Sequence, residues 1–126
     1  MAKQLLASQS ASIAVSLQSQ GSIPAFGEDI VTLADFKRSL RQRQPPAGSA
    51  PALAALWWLK KGDWERAHEI VMEADDADAA WVHAHLHRVE GDLSNAQYWY
   101  RQAKKPMAKA TLDDEWEAVV TALLAE

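Results

Sequence analysis

The chain has 126 residues and no cysteine. That excludes disulfide staples, thiol catalysis and thiolate metal ligands, and it fits a reducing, cytoplasmic setting. Branched β-formers are sparse beside alanine and leucine, which favours helix over strand. No apolar run is long enough to cross a bilayer, so no membrane partner is expected. Basic residues are in the minority, 13 Lys and Arg against 17 Asp and Glu for a net charge of −4, which argues against a nucleic-acid partner. Also missing are a Gly-x-Ser-x-Gly turn, a phosphate loop and a dinucleotide fingerprint. A non-catalytic protein without a cofactor is the expectation from these gaps.

Charge and composition divide the chain. The first 50 residues hold five of the basic and three of the acidic side chains, and the acidic excess lies beyond them. Residues 1–27 are rich in Ser, Gln and Ala, and Gly21, Pro24 and Gly27 interrupt them. Leu5, Gln9, Ile13 and Leu17 share a helical face, while Ile13, Val15 and Leu17 alternate as in a strand, so the period is ambiguous. The apolar stretch is too diluted for a signal peptide, and no arginine precedes Arg38 as a transit peptide would require. A poorly ordered tail over 1–27 and a single domain over 28–126 are expected.

What the chain does have is an internal repeat. Gly62-Asp63-Trp64-Glu65-Arg66-Ala67 returns 29 residues later as Gly91-Asp92-Leu93-Ser94-Asn95-Ala96, with Ala74 and Ala103 in the same register. A Gly-Asp turn between apolar-periodic segments reads as two helices meeting at a C-cap glycine and an N-cap aspartate. The pattern predicts helical hairpins over about 51–74 and 79–105. Within them, helices are expected at Ala52–Lys61, Trp64–Ala74, Ala79–Glu90 and Leu93–Lys104. Thr32, with Asp35 three residues on, predicts a first helix over Leu33–Arg43. Thr111 and the stripe Leu112, Trp116, Val119, Val120 and Leu123 predict a last helix over 111–125. Ser49 and Pro51 are expected to open the helix at Ala52.

These residues resemble the tetratricopeptide repeat. The first copy offers Ala55, Trp58, Gly62, Asp63, Ala67, Val71 and Ala74. The second offers Ala84, His87, Gly91, Asp92, Ala96, Tyr100 and Ala103. The period is shorter than the family's repeat of about 34 residues, and there are two copies where about three are usual. Residues 31–126 are also similar to a group of uncharacterised bacterial tetratricopeptide-like proteins, through the runs 51–68, 80–100 and 112–118. The resemblance implies an all-α fold of two hairpins with N- and C-terminal capping helices, and a role in binding a protein or peptide. Its groove would be lined by the first helix of each hairpin: Ala52, Leu56, Leu59 and Lys60, then Trp81, His85, Arg88 and Val89.

A second reading comes from the histidines. His83 and His87 lie four apart on one helical face, with Glu90 three further on. Two imidazoles and a carboxylate could bind zinc or a similar ion, with His68 joining from the neighbouring helix, which makes a metal- or small-ligand-binding protein, or an enzyme, the alternative expectation. The bland alternative is a pair of hydrogen-bonded, semi-buried histidines at positions that pack inside the hairpin. Six tryptophans likewise read either as core or as an aromatic pocket. Homo-oligomerisation through an exposed flank is a third reading of the short repeat array.

Overall fold

In a computed structural model, residues 32–126 are described; the expectations for residues 1–27 lie outside them. The described residues form six helices and no strand. They are α1 (Leu33–Ser39), α2 (Pro51–Lys60), α3 (Trp64–Glu73), α4 (Ala77–Glu90), α5 (Leu93–Ala103) and α6 (Leu112–Leu124). None is long and apolar enough to cross a membrane.

Each helix start has a local cause. Thr32, Asp63, Asp76, Asp92 and Thr111 each accept a hydrogen bond from the backbone N–H three residues on, satisfying a donor that the helix itself cannot. Asp76 takes this role in the acidic turn, so α4 begins at Ala77 rather than at Ala79. The start of α2 is different. Ser49 donates to the Pro46 carbonyl at 2.6 Å and does not cap, and Pro51 opens the helix through its preset φ. At its far end α1 stops at Ser39, short of Arg43. The carbonyls of Leu40 and Gln42 then accept from the Lys61 ammonium at 2.6 and 3.0 Å.

The two Gly-Asp turns repeat bond for bond. Gly62 and Gly91 have φ of 93° and 86°, a left-handed conformation that glycine adopts without Cβ strain. In each turn the glycine N–H reaches back three residues, to Leu59 or Arg88. The aspartate N–H reaches back five, to Trp58 or His87. This closure satisfies the last carbonyls of α2 and α4 and sends the chain directly into the next helix.

Small residues let the helices approach. Ala55, Ala67, Ala84 and Ala96 have no exposed surface. The main core joins Phe36, Leu53, Leu56 and Trp57 to Val82, Leu86, Trp116, Val119 and Val120. A smaller one around Ala84, Ala96 and Tyr100 seals α4 against α5. Of the six tryptophans, Trp57 and Trp116 are fully buried. Their indoles donate to Ser39 Oγ at 3.1 Å and to the Leu56 carbonyl at 3.0 Å. The other four are half-buried; Trp58, Trp64 and Trp81 pack against the main core and Trp99 against the smaller one.

α6 packs across α2, α4 and α1. Its buried Glu115 accepts from His85 Nδ1 at 2.6 Å, from the Arg88 guanidinium at 2.7 Å and from the Tyr100 hydroxyl. Burial alone would raise the Glu115 pKa, but these three donors outweigh it and hold the carboxyl below its usual range. Removing one partner from a buried ion pair typically costs about 3–5 kcal/mol, because it strands the other charge. Glu115→Ala is expected to lose stability on that scale in urea denaturation. Glu117→Ala, which removes the exposed pair with Lys37, is expected to lose less than about 1 kcal/mol.

Candidate functional site

The helices bring two groups of side chains together on opposite sides of α4. On one side α3 and α5 both pack on α4 while their backbones stay apart, so their side chains fill a cleft that has α4 as its floor. His83 and His87 rise from that floor, and His68 enters from α3. The histidines on α4 are buried, while His68 is half-buried. His68 Nε2 and His83 Nε2 are 3.1 Å apart, so one ring donates and the other accepts. One ring nitrogen from each of the three residues falls within 4.8 Å of the other two.

Aromatic walls hold this group. Trp64 stands one turn before His68 and stacks on it, with centroids 4.7 Å apart and planes 13° apart. Trp99 stacks on His83 from α5 at 4.0 Å and 12°. The Trp64 indole donates to the Leu86 carbonyl at 2.8 Å, which fixes the ring across the α3–α4 joint. His87 Nδ1 donates to Glu90 Oε1 at 2.6 Å. A proton kept on Nδ1 leaves Nε2 of that ring as a lone-pair donor. Glu90 therefore acts on His87 from behind. The group formed by one nitrogen of each histidine does not include its carboxylate; Glu90 belongs instead to a second close group, with His87 and Asp92.

Burial, reinforced by the neighbouring His68 and His87, lowers the His83 pKa to about 4. His68 is lowered by burial and by His87, against a partial pull upwards from Glu90 and Glu69. Both rings are thus neutral at pH 7, the form in which imidazole ligates metals.

The residues expected to line an open groove lie on the other side of α4, where α6 packs. Ala52 and Leu56 are core residues. His85 is 1% exposed, and both it and Arg88 are engaged by Glu115. Substituting those two would therefore disturb the fold as well as any surface. Trp81 is half-buried beneath Lys105, whose ammonium sits 4.3 Å from the ring centroid. Leu59, Lys60, His85 and Val89 do converge. With Leu112, Asp113 and Trp116 of α6 they line a notch of about 170 Å³. Val89 and Leu112 are exposed at its rim.

The i, i+4 spacing of His83 and His87 was legible in the sequence; the same spacing relates Trp64 to His68 and was the signal by which that stack could have been found. The stack of Trp99 on His83 was not, because it depends on the angle at which α5 crosses α4. Neither a family model, nor a curated protein, nor a solved structure matches the chain.

The depressed His83 pKa has a consequence for the metal-free protein. Unfolded, the ring binds a proton at about its ordinary 6.5; folded, it does so only near 4. Between those values the unfolded state holds the extra proton, so stability is complete above about pH 6.5 and is lost as pH falls towards 4. Urea midpoints measured in chelator from pH 7.5 to 4.5 should fall with a slope approaching one proton from this residue. His83→Asn should flatten that slope.

Proposed function

We propose that the protein binds a divalent first-row transition-metal ion through His68, His83 and His87, on a scaffold of two tetratricopeptide-like helix pairs in a cytosolic setting. The observation that carries this reading is the convergence of three imidazoles from two helices. Zinc–nitrogen bonds of about 2.05 Å in a tetrahedron imply nitrogen–nitrogen edges of about 3.3 Å. The separation between His68 and His83 is 3.1 Å, close to such an edge, and binding would release the proton that the two Nε2 atoms now share. An all-imidazole set suits Zn²⁺, Ni²⁺, Co²⁺ or Cu²⁺, and not Mg²⁺ or Ca²⁺, which want oxygen. Glu90 behind His87 supplies the carboxylate–histidine–metal arrangement that orients a ligand and raises its basicity.

Titration calorimetry of metal-free protein with Zn²⁺ is expected to give one ion per chain. His68→Ala and His83→Ala should each weaken binding by more than about 100-fold, and Glu90→Gln by about 10- to 100-fold, the range for a residue behind a ligand. At free zinc of 100 times Kd the fold should gain about 2.7 kcal/mol. Micromolar affinity unchanged by His68→Ala would reject the site.

A second reading, capture of a partner polypeptide, is favoured by the notch between α2, α4 and α6. Its apolar floor and the exposed Val89 and Leu112 suit one inserted aliphatic or aromatic side chain. The Lys60–Asp113 pair at 3.6 Å offers either charge to the flanking residues of such a segment. Peptides selected on the wild type should lose binding at least about tenfold to Val89→Asp and keep it with His68→Ala. The reverse pattern would move the partner to the cleft.

A further inference from the structure

We infer that the notch between α2, α4 and α6 takes the phenol ring of a tyrosine from a partner polypeptide, its hydroxyl donating to Nε2 of His85; this rests on the second reading above. His85 is 1% exposed and lines the notch. Its Nδ1 is engaged by Glu115 Oε1 at 2.6 Å. Among the described residues, Nε2 of the same ring has no hydrogen-bond partner. Buried polar atoms are seldom left so, and a water or a ligand group is the usual partner where the protein supplies none.

The kind of group follows from the proton on the ring. The Arg88 guanidinium and the Tyr100 hydroxyl share Glu115 with His85, and the three together keep its carboxyl ionised, so that it only accepts. The proton of the shared bond therefore sits on His85 Nδ1. Nε2 then carries a lone pair and calls for a donor. A carboxylate behind an imidazole polarises it and strengthens the acceptor on its far side, the relation of aspartate to histidine in a Ser-His-Asp triad.

Size and surroundings narrow the donor. Leu59, Val89, Leu112 and Trp116 give the notch apolar walls, and the Trp116 N–H is already spent on the Leu56 carbonyl. Lys60 and Asp113 are exposed and pair with each other at 3.6 Å. His85 is thus the one buried polar side chain among the lining residues. The volume of about 170 Å³ compares with about 150 Å³ for an apolar cavity that holds one benzene molecule. A six-membered aromatic ring with a single donor at its tip matches both that volume and that polarity. An ammonium or guanidinium group would lose its water there and find no buried carboxylate lining the notch. A tyrosine enters hydroxyl first and leaves its backbone at the mouth. Val89 and Leu112 are 37% and 38% exposed at that mouth, apolar surface that a free phenol would leave wet and that a chain carrying the ring would cover.

Nuclear magnetic resonance on full-length protein with ring-¹⁵N histidine reads the protonation of His85 directly, and p-cresol, the tyrosine side chain without its backbone, probes the notch. Support is Nδ1 protonated and Nε2 bare in the free protein, a saturable upfield shift of Nε2 with p-cresol, and binding at least about tenfold weaker for toluene, which lacks the hydroxyl. Val89→Asp, at the exposed mouth, should keep the helical circular dichroism and lose p-cresol. A protonated Nε2, absence of p-cresol binding, toluene binding as tight as p-cresol, or p-cresol binding indifferent to Val89→Asp would each overturn the inference. The peptides selected on the wild type then test the source. Changing their anchoring tyrosine to phenylalanine should cost about tenfold in affinity. Peptides that depend on Val89 yet carry no such tyrosine would overturn the inference and leave the partner reading standing. Peptides indifferent to Val89→Asp would overturn both.

Discussion

Glu115 is the one carboxylate in the described residues that is both buried and surrounded by donors from other helices, and the arrangement of the molecule depends on how those donors are placed. His85 and Arg88 come from α4, and Tyr100 comes from α5. A buried carboxylate without them would carry a desolvation penalty of several kcal/mol. With them it ties the last helix to the second pair, while Trp116 ties it to the first through the Leu56 carbonyl. The same contacts decide which side of α4 is closed. Because α6 lies over Leu56 and His85, the side it leaves uncovered is the one where α3 and α5 pack on α4.

The fold was legible where the signal was local. Gly62-Asp63 and Gly91-Asp92 announced their turns, and Thr32 and Thr111 their helices, because a cap is a matter of a few adjacent residues. The start of α4, expected at Ala79, was set two residues late by the same logic. Three aspartates stand within four positions, and only the chain's path selects which of them caps. Ser49 looked like a cap and is instead a turn residue, bonded back to Pro46.

The candidate site was legible in halves. Spacing along one helix placed His83 with His87, and a repeat register placed Leu59, Lys60 and Val89 near one another. Spacing says nothing about which side a later helix will cover. His85 and Arg88 were therefore assigned to an open face when they serve Glu115, a partner 30 and 27 residues away. Nor could it show that Glu90 stands behind His87 instead of beside it, since that depends on which ring nitrogen is turned towards the carboxylate.

The bonds that hold α6 also differ in reach from those that hold the rest. Consecutive helices from α2 to α5 meet through neighbours in sequence, whereas Trp116 reaches back 60 residues to Leu56, and Glu117 reaches back 80 to Lys37. Closing a longer loop carries a larger entropic cost, so bringing α6 into place asks more of the chain than closing the Gly-Asp turns. Lifting α6 would bare its own Trp116, Val119 and Val120 and take Glu115 away from His85, Arg88 and Tyr100. The two sides of α4 are thus held by contacts of different range, distant ones under α6 and nearer ones around His68 and His83.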